Sequence, residues 1–309
     1  MPTLPRIVEI STPGRRVRLD RGFLTIADND RDIGQIGLDT ITAVMMTTPA
    51  VSFTGQILSA LAEQGAPVVL CGNNFRPTSY LLPVSGHHAT GSKIEAQAAA
   101  TLPARKRLWA QIVKAKLTAQ ADALARVNLP DAPVRALIKA VQSGDATNRE
   151  ATGAQRYFPI FFGKGFKRDR EEAGINAMLN YGYTIVRAAA ARSIVAAGLH
   201  PALGLHHKSR GDGLRLADDL MEPFRPAVDL VVRDLVAEGA NGVNPDTKKE
   251  LVRVLALDYM GTEGVGPMCN IISRLAVQLA QTFSGERKGL TFPKPMIPLS
   301  EEAEEDDTP

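Results

Sequence analysis

The residues of this chain best suited to chemistry gather in one segment, Gly204 to Pro226, which reads Gly-Leu-His-His-Lys-Ser-Arg-Gly-Asp-Gly-Leu-Arg-Leu-Ala-Asp-Asp-Leu-Met-Glu-Pro-Phe-Arg-Pro. Imidazole, carboxylate and guanidinium groups beside two prolines read as half of a metal site, with Glu150 upstream supplying the other half. His206 and His207 precede an exposed turn. Adjacent residues of an extended chain point to opposite sides, so only one of the pair serves a given site. Asp219 and Glu222 stand three apart, which puts both carboxylates on one side of a helical turn, while Pro223 and Pro226 restrict how that turn continues. A kinked helix and a short turn followed by a new helix both satisfy the spacing. One histidine, one or two glutamates and an aspartate form a mixed oxygen and nitrogen set that suits Mn²⁺ or Mg²⁺. No close HxxxH or CxxC spacing argues for zinc. The plainer alternative is that acids at helix starts serve as caps or answer the helix dipole.

Glu150 lies in Ala146-Thr-Asn-Arg-Glu-Ala-Thr-Gly-Ala-Gln-Arg-Tyr-Phe158. With Thr147 or Asn148 as cap, this stretch predicts a short helix to about Phe158, disturbed at Pro159. Lys164, Lys167, Arg168 and Arg170 follow it, and Lys208, Arg210, Arg215 and Arg225 surround the later ligands. Lys164, Lys167, Arg168 and Arg225 are expected to contact a DNA backbone, with nearby rings stacking on unpaired bases. Plain core packing of Phe158, Phe161 and Phe162 is the competing reading.

These groups need a scaffold, and the pattern predicts an α+β fold: a small β-rich N-terminal domain followed by a mostly α-helical catalytic domain. Residues 1–85 carry strand-like segments at Arg6 to Ile10, Arg16 to Asp20, Phe23 to Ala27, Thr42 to Met46 and Val68 to Cys71, with one helix from Ser52 to Gln64 capped by Ser52. Residues 86–92 read as a linker. Residues 93–290 form the helical domain, with helical composition over Lys93 to Arg126, Val134 to Gln142, Arg170 to Ala197 and Pro267 to Thr282. Residues 291–309 read as a proline-rich and acidic tail without regular structure.

Charge and composition set limits. The net charge is +3, but six of the 33 acids lie between Glu301 and Asp307, so the rest sets 36 bases against 27 acids, or +9. A basic body favours a polyanionic partner. No run of about 18 apolar residues and no secretion signal is present, so a cytoplasmic protein without membrane association is expected. The two cysteines, Cys71 and Cys269, read as buried free thiols.

Four stretches together resemble the CRISPR-associated adaptation integrases, the Cas-one family, and are most similar to its type II members. They are Asn148-Arg-Glu-Ala151, Leu179-Asn-Tyr-Gly-Tyr-Thr184, Ala197-Gly-Leu-His-Pro-Ala-Leu-Gly-Leu-His-His207 and Asp218-Asp-Leu-Met-Glu-Pro-Phe-Arg-Pro226. They occur in the family's order and cover most of the helical domain. The resemblance implies a homodimer that assembles with a small ferredoxin-like CRISPR partner and inserts short fragments of double-stranded DNA at repeat boundaries. It puts the metal ligands on Glu150, His207 and Glu222, with Asp219 as a supporting acid. His200 stands where many members carry Asp, a departure that bears on a local cap and not on the ligands.

The expected function is therefore metal-dependent endonuclease and integrase chemistry, in which a 3′-hydroxyl attacks a repeat phosphodiester. A DNA-binding scaffold without chemistry is the alternative, and a hydrolase of small phosphoesters a third reading.

Overall fold

The computed structural model describes residues 6–29, 31–72, 77–84, 87–209, 212–261 and 264–295. Arg210 and the acidic residues 301–307 lie outside them. In the N-terminal part run β1 (Arg6–Ile10), β2 (Arg15–Asp20), β3 (Phe23–Asp28), β4 (Arg31–Gly37), β5 (Ile41–Met46), β6 (Val51–Phe53), α1 (Gly55–Glu63), β7 (Val68–Cys71) and β8 (Pro77–Leu81). Two four-stranded sheets result, ordered β1-β5-β7-β8 and β4-β3-β2-β6. The helical part contains α2 (Thr90–Ala99), α3 (Leu102–Arg126), α4 (Ala132–Ile138), α5 (Arg149–Phe162), α6 (Ile175–Ala196), α7 (Arg215–Met221), α8 (Arg225–Ala237), α9 (Pro245–Val252) and α10 (Met268–Phe283). A β-rich N-terminal region followed by a mostly helical one is the architecture the sequence predicts.

Strand β5 shows how the parts join. All six of its residues are buried, and their alternation divides them. From Ala43 to Met46 the alternation is strict: Val44 and Met46 face the N-terminal core with Leu24, Ile57 and Leu61, and Ala43 and Met45 belong to the helical core with Leu117, Tyr181 and Ile185, while Ile41 at the strand's start also packs in the N-terminal core. A period of two makes one strand serve two cores. Glu9 of β1 adds a polar tie, accepting hydrogen bonds from Thr47 at 2.6 Å, Lys248 of α9 at 2.5 Å and Tyr181 of α6 at 2.9 Å.

Several expectations are corrected. The helix expected from Ser52 starts at Gly55, because Ser52 pairs with β2 in β6 and Thr54 caps instead, accepting from the Ile57 amide. The stretch of helical composition from Lys93 to Arg126 holds two helices, broken at Ala100, where Thr101 caps the second with Pro103 in its first turn. Helix α2 begins at Thr90, inside the segment read as a linker. The mostly helical part also carries a small sheet, in which β9 (Asp258–Gly261), β10 (Gly264–Pro267) and β11 (Lys294–Pro295) pair antiparallel. Strand β11 thus places the first residues of the expected tail in regular structure, paired with Tyr259 and Met260. Strand β11 lies at the edge of its sheet, where the missing amide donor of Pro295 is tolerated. Among the described residues no helix is long and apolar enough to cross a membrane, and the two cysteines are free and partly buried.

Candidate active site

Glu150 occupies the first turn of α5, and the residue that fixes it is Asp145. The backbone before α5 turns through left-handed conformations at Gly144, Asp145 and Asn148, so Asn148 sits at the cap position without using its side chain as a cap. Asp145 caps from below: its two carboxylate oxygens accept from the amides of Arg149 and Glu150 at 2.8 and 2.9 Å. Pro159 does not end the helix, which runs to Phe162. Asp145→Ala is expected to cost about 1–2 kcal/mol, the worth of a strong cap, measured as a fall in the urea unfolding free energy.

Helix α3 brings the next group. Its buried stripe runs Trp109, Ile112, Val113, Lys116, Leu117 and Gln120, a spacing of three and four that places a lysine on an apolar face. Gly153 lets α5 come close: a Cβ there would stand 2.3 Å from Leu117 Cδ2. Across this contact Lys116 Nζ meets Glu150 Oε1 at 2.7 Å and Glu222 Oε2 at 2.5 Å. The Glu222 oxygen is buried, and the Lys116 ammonium is its charge partner. Its other oxygen accepts from Arg225 Nε at 2.9 Å. Burial alone would raise the Glu222 pKa, but Arg225 and Lys116 outweigh it and hold the carboxyl at about 2. Burial likewise opposes the Lys116 charge, yet Glu222 and Glu150 raise its pKa above the ordinary lysine value.

Asp219 and Glu222 do not share a helix start. Asp219 lies near the end of α7, and Glu222 opens a single 3-10 turn, Glu222–Phe224, before α8, so the short turn and new helix is the form adopted. Asp219 is fully buried. One of its oxygens accepts from the Leu205 and His206 amides at 2.6 and 3.3 Å, and the other from the His207 amide at 3.2 Å. The latter oxygen also pairs with His207 Nδ1 at 2.7 Å, leaving Nε2 for another group. Gly204 permits this approach, since a Cβ would lie 3.0 Å from the same carboxylate. Burial lowers the His207 pKa, but the bond to Asp219 and the charges of Asp219 and Glu222 raise it overall. His206 is set apart from its neighbour by stacking flat on Trp109, ring centroids 4.4 Å apart, while His207 meets the same indole edge-on at 5.7 Å.

The loop before His207 is clamped by Gln97 of α2, which donates to the carbonyls of His200 and Leu203 and accepts from the His200 amide. His200 itself caps the turn through Nδ1, accepting from Ala202 N at 3.2 Å. The imidazole thus does what an aspartate at this position would do.

The basic residues separate into two groups. Arg168 and Arg225 line, with Arg170, Arg187, Arg215 and His207, a cleft of about 320 Å³. Both guanidinium groups lie over the Tyr183 ring, at 5.5 and 4.6 Å, and Tyr183 donates to buried Asp229 at 2.5 Å. Arg168 is fixed further by the side-chain oxygens of Asn176 and Asn180. Lys164 and Lys167 stand exposed after α5, outside that cleft lining. Tyr157 and Phe161 are fully buried and stacked on each other, so core packing accounts for them.

The structure thus unites Glu150 and Glu222 and joins His207 to Asp219, and charge interaction links His207 with Glu222. As arranged here, with Lys116 between the two glutamates, no three His, Cys, Asp or Glu side chains among the described residues form a metal-binding group. Sequence reasoning missed Lys116, Asp145 and Gln97. The signal for Lys116 was available, a lysine on the apolar stripe of a long helix.

The two-part α+β architecture has counterparts among known proteins. The family model described as CRISPR associated protein Cas1 matches residues 8–255, and the chain belongs to that family. A CRISPR-associated endonuclease Cas1 of Neisseria meningitidis serogroup C (strain 8013) is 36% identical over 246 residues, covering 78% of this chain and 80% of the relative. Among solved structures, a casposase bound to integration product shares the fold with a TM-score of 0.77 at 21% identity, covering 94% of both chains. A Cas6-RT-Cas1–Cas2 complex contains the same fold, with a TM-score of 0.76 at 16% identity, over 96% of this chain and 36% of that one.

Proposed function

We propose that this protein is a metal-dependent DNA endonuclease and integrase that inserts short DNA fragments into a CRISPR array, as a type II member of its family. The observation that carries this reading is the meeting of Glu150 and Glu222, from separate helical segments, at one cation, beside a histidine oriented by a buried aspartate. The donor set suits Mn²⁺ or Mg²⁺: two carboxylates drawn together at one cation and an imidazole whose Nδ1 is held by Asp219. Glu150, His207 and Glu222 would hold the ion, which supplies charge stabilisation at the phosphoryl and leaving oxygens.

In the reaction, the 3′-oxygen of the incoming strand bonds to a repeat phosphorus and the phosphorus–3′-oxygen bond of the repeat breaks. The attacking hydroxyl gives its proton to solvent and the leaving oxygen takes one up. Asp219 keeps the His207 ring in one tautomer and orientation. Arg168 and Arg225, presented on the Tyr183 ring, bind backbone phosphates in the cleft, and Lys164 and Lys167 extend that binding along double-stranded DNA. The chain acts as a homodimer with a small ferredoxin-like CRISPR partner in the cytoplasm. The casposase of the same fold is bound to an integration product, and the Cas6-RT-Cas1 chain is in a complex with Cas2, which supports placing this fold in such assemblies.

Strand insertion of a 3′-hydroxyl duplex into a supercoiled repeat plasmid with Mn²⁺ tests the reading. Glu150→Ala is expected to abolish insertion while DNA binding persists; insertion at the parental rate would refute the assignment. The double variant Lys164→Ala, Lys167→Ala is expected to make the salt dependence of DNA affinity shallower, by about 0.9 in log–log slope for each phosphate that is no longer neutralised. An unchanged slope in a titration from low to high salt would remove these lysines from the interface.

A further inference from the structure

We propose that Lys116 is the resident cation of the site: its ammonium holds Glu150 and Glu222 together in the metal-free protein and yields that place when a divalent ion enters. This rests on the metal reading above. Lys116 Nζ lies 2.7 and 2.5 Å from oxygens of the two carboxylates, and its side chain is only 9% exposed. A divalent ion bound to the same oxygens at about 2.1 Å would sit within a few ångströms of the ammonium. Two like charges at that range, in a site walled by buried groups, repel strongly. Exchange rather than coexistence follows.

The displaced ammonium also has somewhere to go. Gln120, four residues along α3 on the same face, is buried, and its Oε1 has no hydrogen-bond partner among the described residues. That oxygen faces α5 at Gly153, where an added Cβ would lie 3.4 Å away, less than one turn from Glu150. An orphan buried acceptor is costly to leave unmade. Lys116 therefore has two stations: between the glutamates without metal, and at Gln120 with it. The device lowers the affinity for the ion and offsets the repulsion between the two acids until it arrives.

The test is Mn²⁺ binding by the full chain without DNA, read by the electron paramagnetic resonance of free Mn²⁺. Lys116→Met is expected to bind Mn²⁺ about tenfold more tightly or better, because no cation has to leave. Equal or weaker binding by this variant overturns the proposal. Gln120→Leu retains the lysine between the acids and removes the second station, so Mn²⁺ binding is expected to weaken severalfold. Should Lys116→Met fail to fold, Gln120→Leu decides the matter, and unchanged affinity there overturns the exchange. Binding of Mn²⁺ by the parent together with no tightening in Lys116→Met sinks this inference alone. Absence of Mn²⁺ binding in parent and both variants sinks the metal reading with it.

Discussion

Glu222→Ala is expected to abolish strand insertion and to cost the fold about 3–5 kcal/mol, because it strips a buried ion network of its central anion. Glu222 is 3% exposed and faces Lys116 on one oxygen and Arg225 on the other. Removing it leaves Arg225 without its carboxylate partner and Lys116 with Glu150 alone. Glu222→Gln keeps the volume but not the charge, so its stability is expected to fall between parent and alanine, with insertion still abolished. The pH dependence has a definite sign. A carboxyl whose folded pKa is about 2, against an unfolded value near 4.5, contributes stability that is complete above about pH 4.5. That contribution, about 3 kcal/mol, disappears as pH falls through the folded value. Urea unfolding from pH 6 to pH 2 should therefore show a steeper acid loss in the parent than in Glu222→Gln. Parallel curves would mean that the network does not hold Glu222 ionised.

Asp219 separates orientation from stability. Asp219→Asn keeps the shape of a fully buried side chain but places an amide where His207 Nδ1 and three backbone amides meet two carboxylate oxygens. One face of that amide can only donate, so it cannot accept from all four. The imidazole is then free to change tautomer, and insertion is expected to fall by about 10- to 100-fold, as is typical when a group that orients a metal-binding histidine is removed. Asp219→Ala removes every acceptor, leaves the buried Leu205 amide unpaired, and is expected to cost about 3 kcal/mol or more in addition. The comparison to make is rate against melting temperature for both variants. A full rate in Asp219→Asn would show that His207 needs no orientation from this residue.

The corrections in the fold have physical causes that particular elements make plain. Strand β4 is not legible in the sequence because, as an edge strand with Asp32, Gly34 and Gln35 and largely exposed, it carries no burial pattern. The third sheet of β9, β10 and β11 is equally hidden, because strands of two to four residues have too few side chains to show a period. Ser52 misleads because a serine before an apolar stripe is a good cap by type, and only its pairing with Arg16 assigns it to a strand.

The sequence alone determined the order of a β-rich part and a helical part, since alternation and helical spacing are local signals. It also singled out Glu150, the His206–His207 pair, Asp219 and Glu222, because side-chain chemistry is written in residue type, and the family resemblance picked His207 from the pair. Tertiary structure alone decided which of those groups meet. It brought Lys116, 34 residues before Glu150, into the space between two acids, set Asp145 under the amide of Glu150 and closed Gln97 on the loop that carries His207. Such meetings depend on how closely α3 and α5 approach and on where one α7 carboxylate is buried, and helix packing distances are properties of the folded chain that no local window encodes.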